Sequence, residues 1–248
     1  MTLLTYSSSL IKKLVNSNGH SLEYIDGFYV DKNLHRKPLP SVIFHHGKLY
    51  YRYMDRIFSP TPIKKMEAKQ SMLMCEIRLK YFDEFVDDAY NLKVINEFIS
   101  YIPPNKHRLN ILDFGCGNGK YTLGLKSRVE QSEVFGVDIS MNAIKCAEKN
   151  YPNIFWFHIN DQTPLPFQDG YFDFIFSSFV MHFNISKFFI CELNRILAKN
   201  GKFIFNIYNE KYFSNELFQH MEKSGFRVDE IKPSFQTNQS FYMVKKNK

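Results

Sequence analysis

The sequence predicts an α/β fold, a seven-stranded, mostly parallel sheet with helices on both faces, preceded by an extension that is first strand-rich and then helical. Three observations lead there. After Asn110 short apolar runs alternate with amphipathic stretches, the pattern of strands joined by helices. A glycine-dense turn (Gly115, Gly117, Gly119) follows the first of those runs. The first hundred residues follow a different periodicity, so they form a separate element. At 248 residues, 44% apolar and 23% charged, the chain is long enough for one large domain with an addition and lies outside the composition of disordered proteins.

The elements follow in order. Residues 1–60 hold aromatic and β-branched text with short polar breaks: LEYIDGFYV, SVIF, the turn-like HHGK and LYYRYM, with a hairpin expected to close at Gly47. Residues 61–108 switch to helical spacing. MEAKQSMLMCEIRLKYFDEFVDDAY is helix-forming throughout, and Val94, Ile95, Phe98, Ile99 and Ile102 share one face until Pro103 and Pro104 stop the helix. From 109 to 248 the reading is strand NILDFG, helix GKYTLGLKSR, strand VFGVDI, helix SMNAIKCAEKN, strand NIFWFHI and strand YFDFIFSS. Helix ISKFFICELNRILAK, expected to run to Asn200 and Gly201, strand KFIFNIY and helix SNELFQHMEKSGF come next. FRVDEI and SFYMVKK close the chain, and the turn-like KPSFQTNQ between them pairs them antiparallel.

Composition narrows the function classes. Cys75, Cys116, Cys146 and Cys191 are isolated from one another, without zinc-ligand spacing, so neither a metal site nor a disulfide framework is expected. No apolar run reaches membrane-spanning length, and the N-terminus lacks the charged start and cleavage site of a secretory leader; a soluble, cytoplasmic protein without a membrane partner is expected. The 32 basic against 25 acidic residues give a formal +7, scattered from Lys12 and Lys13 to Lys248, which fits a solvated surface or an anionic partner such as nucleic acid. The sequence leaves the oligomeric state open.

The chemistry centres on the glycine turn. A tight turn after a strand needs unusual dihedrals, and a ligand approaching the backbone needs the missing Cβ. A dinucleotide site prefers G-x-G-x-x-G, whose third glycine would fall on Lys120, and the phosphate-cradling G-x-x-x-x-G-K-[ST] spacing is missing. Asp113 stands two residues before the first glycine. Asp138, nineteen residues after the last, ends the run VFGVD, where an acid accepts hydrogen bonds from ribose hydroxyls. The competing reading makes Asp138 the N-cap of the following helix, for which Ser140 is the better candidate.

DFGCGNG, FGVDIS, INDQTPLPFQDGYFDFIFSSFVMHF and ELNRILAKNGKFIF together resemble the class I S-adenosylmethionine-dependent methyltransferases, from about Leu109 to the C-terminus. The resemblance implies a Rossmann-like domain using S-adenosyl-L-methionine and releasing S-adenosyl-L-homocysteine. It places Gly115, Cys116, Gly117, Asn118 and Gly119 against the methionyl part and Asp113 near its amino group. It places Asp138 and Ile139 at the ribose, Asn160, Asp161 and Gln162 at the adenine, and Ser177 and Ser178 beside the reacting end. His182 is the candidate general base, with a packing role as the alternative. Tyr81, Phe82 and Tyr90 resemble the aromatic segment that folds over the cofactor in this family, and Tyr81, Tyr90 and His182 are candidate substrate contacts; core packing accounts for them as well.

Because the cofactor's methyl is already activated, the protein has mainly to align an acceptor and exclude water. The motifs therefore describe the cofactor more than the acceptor. KFIFNIYNEKYFSNELF passes almost directly from strand to helix, without the long insertion many small-molecule methyltransferases carry there, so the cap is expected from the aromatic N-terminal residues (Tyr24, Phe28, Tyr29, His45, His46, Tyr50, Tyr51, Tyr53). These aromatics are equally suited to forming the extension's own core. The acceptor expected is a small or medium organic molecule methylated on O or N. An RNA methyltransferase and a non-catalytic cofactor-binding subunit are the alternatives.

Overall fold

The computed structural model describes residues 22–25, 28–31, 42–45, 48–53, 57–59, 61–62, 65–82, 88–103, 108–129, 131–208 and 216–247. They divide between two compact units, Met1–Glu84 and Phe85–Lys248.

In the N-terminal unit, β1 (Leu22–Ile25), β2 (Phe28–Asp31), β3 (Val42–His45), β4 (Lys48–Tyr53) and β5 (Ile57–Ser59) form an antiparallel sheet of order β1-β2-β5-β4-β3, followed by α1 (Ala68–Phe82). LEYIDGFYV is two strands paired with Leu22 opposite Asp31. His45 opposite Lys48 makes the second hairpin, while His46 and Gly47 lie outside the described residues. The sequence reading did not separate Ile57–Ser59, which slots between β2 and β4. Phe28, Tyr29, Tyr50 and Phe58 are buried.

The C-terminal unit begins with α2 (Asp88–Ser100). Then come β6 (Asn110–Phe114), α3 (Lys120–Lys126), β7 (Glu133–Asp138), α4 (Met141–Asn150), β8 (Phe155–His158) and β9 (Phe172–Ser177). α5 (Lys187–Ile196), β10 (Leu197–Tyr208), α6 (Glu216–Lys223), β11 (Phe226–Ile231) and β12 (Gln239–Lys246) complete it. The seven strands are ordered β11-β12-β10-β9-β6-β7-β8, and β12 runs antiparallel to both neighbours, as the turn at KPSFQTNQ required. The chain moves outward from β6 to β8 and then crosses to β9 on the other side of β6. The order therefore reverses between β6 and β9, the place where an open α/β sheet leaves a crevice beyond its strand ends.

Alternation along the strands sorts the core into two layers. In β10, Phe203, Phe205 and Ile207 join one layer with Phe189 and Leu193 of α5 and Leu217 and Met221 of α6. Ile204 points the other way, into a layer with Phe174 and Phe176 of β9, Phe241 of β12 and Val94, Ile95 and Phe98 of α2. Phe98 stacks on Phe176 with centroids 5.4 Å apart, which seats α2 on the sheet. One boundary departs from the expectation: α5 stops at Ile196 instead of continuing to Asn200. Leu197 is extended and fully buried, opposite Phe172 in the sheet, so strand pairing overrides the helical propensity of Leu-Ala-Lys.

Candidate active site

The glycine turn hangs from the end of the neighbouring strand. The amides of Gly115 and Cys116 donate to the Val137 carbonyl at 2.8 and 3.0 Å, and Gly117 N donates to Asp138 Oδ2 at 2.8 Å. Gly115, Gly117 and Gly119 have φ of +81°, +56° and +83°, the left-handed region that glycine enters without penalty. Their surroundings differ. A Cβ on Gly115 would come within 2.3 Å of Val180 and one on Gly119 within 2.5 Å of Trp156, whereas one on Gly117 would meet nothing within 4 Å. The outer glycines are locked by the protein's own packing, and the middle one presents open backbone.

Asp138 closes the turn from below. Its two carboxylate oxygens accept from Gly117 N and Ser140 N, each at 2.8 Å, and the residue is 9% exposed. Ser140, not Asp138, caps α4, accepting from Ala143 N at 3.2 Å. Since a carboxylate oxygen takes two donors, this acid is fixed in direction and chemically suited to hydroxyl donors as well. Asp113 is buried beneath the turn, where the Thr122 hydroxyl donates to it at 2.6 Å. Burial pushes its carboxyl up to about 7, against the Thr122 bond and with help from the nearby Asp138 charge. Burial and the same two carboxylates raise the Cys116 thiol, which packs with Ile144, Ala147, Ile154 and Trp156. Asn118, half-buried, accepts from Lys120 N at 3.4 Å.

Two further segments frame the crevice. After β8, Asn160 Oδ1 accepts from Gln162 N, Thr163 N and the Thr163 hydroxyl at 2.9–3.1 Å, folding the loop so that Asp161 and Gln162 are exposed. Ile139 is half-buried, and His158 Nε2 lies 3.1 Å from its carbonyl. After β9, the fully buried Ser177 donates to the Phe114 carbonyl at 2.9 Å, tying the ends of β9 and β6 together, while Ser178 is half-buried. His182 is 6% exposed, with its ring centroid 4.3 Å from that of Phe183. Tyr90, in the first turn of α2, meets the Thr237 hydroxyl and stands 6.3 Å from the Phe179 ring. Tyr81 is the penultimate residue of α1 in the N-terminal unit, and its side chain lies outside the described residues.

Several contributors were not found by sequence reasoning. Trp156 lies across both Gly119 and Gly136, where a Cβ would meet its ring at 2.5 and 2.3 Å, and Gly136 pairs with Trp156 between β7 and β8, a contact that no local pattern announces. Arg195 donates to the Leu165 and Phe167 carbonyls, Glu192 and Asp169, while Glu192 accepts from Leu165 N, clamping the 165–169 loop onto α5. Glu192 is thereby held below the usual carboxylate range, chiefly by its hydrogen bonds from Arg195. Among the described residues, no group of three metal-ligating side chains occurs and no helix is long and apolar enough to cross a membrane.

Residues 112–205 match the family described as a methyltransferase domain, a span that begins in β6 and ends in β10 and so takes in the turn, Asp138 and the β9 end. Residues 112–205 carry a methyltransferase domain, consistent with the class I S-adenosylmethionine-dependent enzymes. A malonyl-[acyl-carrier protein] O-methyltransferase of Legionella pneumophila is 32% identical over 98 residues, 38% of this chain and 34% of that one. A demethylmenaquinone methyltransferase of Lysinibacillus sphaericus is 34% identical over 96 residues, 36% and 40% of the two chains. The matched part spans little more than a third of each relative's length. A TehB-like S-adenosylmethionine-dependent methyltransferase from Corynebacterium glutamicum superposes with a TM-score of 0.55 at 19% identity, covering 72% of this chain and 98% of that one, and shows the shared fold. The methyltransferase domain implies S-adenosylmethionine as cofactor, and the residues present fit it: the turn leaves Gly117 open beside a carboxylate oriented by the Gly117 and Ser140 amides.

Proposed function

We propose that the chain methylates a small or medium organic acceptor on oxygen or nitrogen. The observation that carries this reading is the pairing of an open, carboxylate-anchored glycine turn with an aromatic surface beyond β9, where Phe179 is bonded to Asn206 and adjoined by Tyr90. A phosphate-rich partner calls for Lys and Arg instead. Three of the described basic side chains are engaged elsewhere: Arg195 in its clamp, Lys126 on the Ser132 carbonyl and Lys202 on the Tyr101 carbonyl.

In this reading Asp138 takes the ribose hydroxyls, the backbone of Gly115 to Gly119 lies along the methionyl part, and Asp161 and Gln162 flank the adenine. Asp113 supports the turn through Thr122. Held by these residues, S-adenosylmethionine would supply an activated sulfonium methyl, leaving as S-adenosylhomocysteine, and an acceptor O–H or N–H would give up its proton on taking that methyl. His182 is the sole titratable side chain between Ser177 and Phe183, and is assigned to receive that proton. Replacing it with alanine should lower turnover while sparing cofactor affinity; an equal loss of both would assign it to packing.

Incubating the full chain with methyl-labelled S-adenosylmethionine and, in parallel, a small-metabolite extract and total RNA tests the reading. Label in the metabolite pool supports it. Label in RNA, with affinity falling steeply as salt rises, would replace it with an RNA methyltransferase, and firm cofactor binding without any transfer would make the chain a cofactor-binding subunit.

A further inference from the structure

Phe179 is one of two described residues other than glycine with a positive φ, at 60°. A bulky side chain in that region costs energy and persists only when its surroundings impose it. The imposing group is Asn206, fully buried near the end of β10, whose Oδ1 accepts from Phe179 N at 2.9 Å and whose Nδ2 donates to Gln239 at the start of β12. Three adjacent strand ends thus hold one backbone amide in place.

The consequence is the position of a ring. Phe179 lies two residues beyond the end of β9, next to Val180, which packs on Gly115 of the glycine turn. Tyr90 stands against Phe179 at 6.3 Å and against Phe235 edge-on at 5.8 Å, and all three rings are only half-buried. Further side-chain hydrogen bonds tie α2 to its surroundings. Tyr90 meets Thr237, the neighbouring Asn91 meets the Tyr121 hydroxyl in the helix that follows the glycine turn, and Glu97 accepts from the Ser234 amide and hydroxyl at 2.9 and 2.5 Å. α2 therefore bridges the cofactor side and the β11–β12 loop, and its first turn presents an aromatic surface at the strand-order reversal.

We propose that Tyr90, Phe179 and Phe235 form the wall that receives a flat aromatic acceptor, and that Asn206 is the positioning residue that sets this wall. The proposal rests on the methyltransferase reading and deepens it. Rings arranged edge-on and tilted, with part of their surface open, offer a planar guest the same offset contacts they make with each other, and offer a saturated guest of equal size only its area.

Calorimetry on the full chain tests this in two steps. S-adenosylhomocysteine is titrated first; 2-naphthol and decahydro-2-naphthol, the same carbon skeleton flat and puckered, are then titrated into the loaded protein. The expected result is about tenfold tighter binding of 2-naphthol. That preference should shrink to about twofold in Phe179→Leu and in Phe235→Leu with S-adenosylhomocysteine affinity kept within about twofold. Asn206→Leu should lose it too, and Asn206→Asp, which retains the acceptor oxygen for Phe179 N, should restore part of it. Equal binding of the two probes, or a preference untouched in both leucine variants at Phe179 and Phe235, overturns the wall while leaving the methyltransferase reading standing. Absence of S-adenosylhomocysteine binding overturns both.

Discussion

Around the glycine turn, position is set by backbone: two amides on one carbonyl, one amide on a carboxylate, and three left-handed residues that are all glycine. Across the crevice, position is set by side chains from distant segments: an asparagine of β10, a glutamine of β12, a tyrosine of α2 and a phenylalanine forced into the same left-handed region. One side is built from parts that tolerate few replacements. The other is assembled from side chains of separate elements, with the Asn206–Gln239 pair buried and the Tyr90 and Phe179 rings left half-buried.

The largest expected effect bears on the first side. Asp138→Ala should weaken S-adenosylhomocysteine binding about a hundredfold, because charge-assisted hydrogen bonds are lost together with the anchor for Gly117 and Ser140. Calorimetry measures it, and an unchanged affinity would remove Asp138 from the site. Gly119→Ala should destabilise the fold by about 2 kcal/mol in urea unfolding, combining a left-handed alanine with a Cβ 2.5 Å from Trp156. Asp113 sharpens the contrast through pH. Its folded pKa, about 7, lies above the unfolded carboxylate range, so the native state keeps a proton that the unfolded chain has released. Its contribution should fall as pH rises from about 4 to about 7 and level off beyond, and Asp113→Asn should flatten that part of the stability profile; an identical slope in the variant would refute it. The smallest effect belongs to the second side. Phe179→Gly should change stability by less than about 1 kcal/mol, since relief of the left-handed strain offsets the lost ring contacts, and S-adenosylhomocysteine affinity should not move.

The same division explains what the amino-acid order disclosed. The alternation after Asn110, the turn chemistry of Gly115 to Gly119, the cap at Ser140 and the antiparallel pairing of the last two strands are local patterns, so each was readable within a dozen residues or so. Asp138 was readable because its distance from the turn is fixed by one strand–helix–strand passage. Glu97 with Ser234, Asn206 with Gln239 and Trp156 with Gly136 are joined only after the sheet has assembled, and no spacing rule links 97 to 234. Leu197 shows the same effect on secondary structure: its helical neighbourhood lost to a partner strand that begins 25 positions earlier, at Phe172. Ser177 belongs here too, for its hydroxyl serves the junction of β9 with β6 through the Phe114 carbonyl.

Trp156 is the chain's one tryptophan, and its ring lies against the underside of Gly119 and over Gly136. Indole emission from this protein therefore originates at a single address, a few ångströms beneath the glycine turn. The molecule has an optical sensor built into its floor, and a titration followed by that light needs no label.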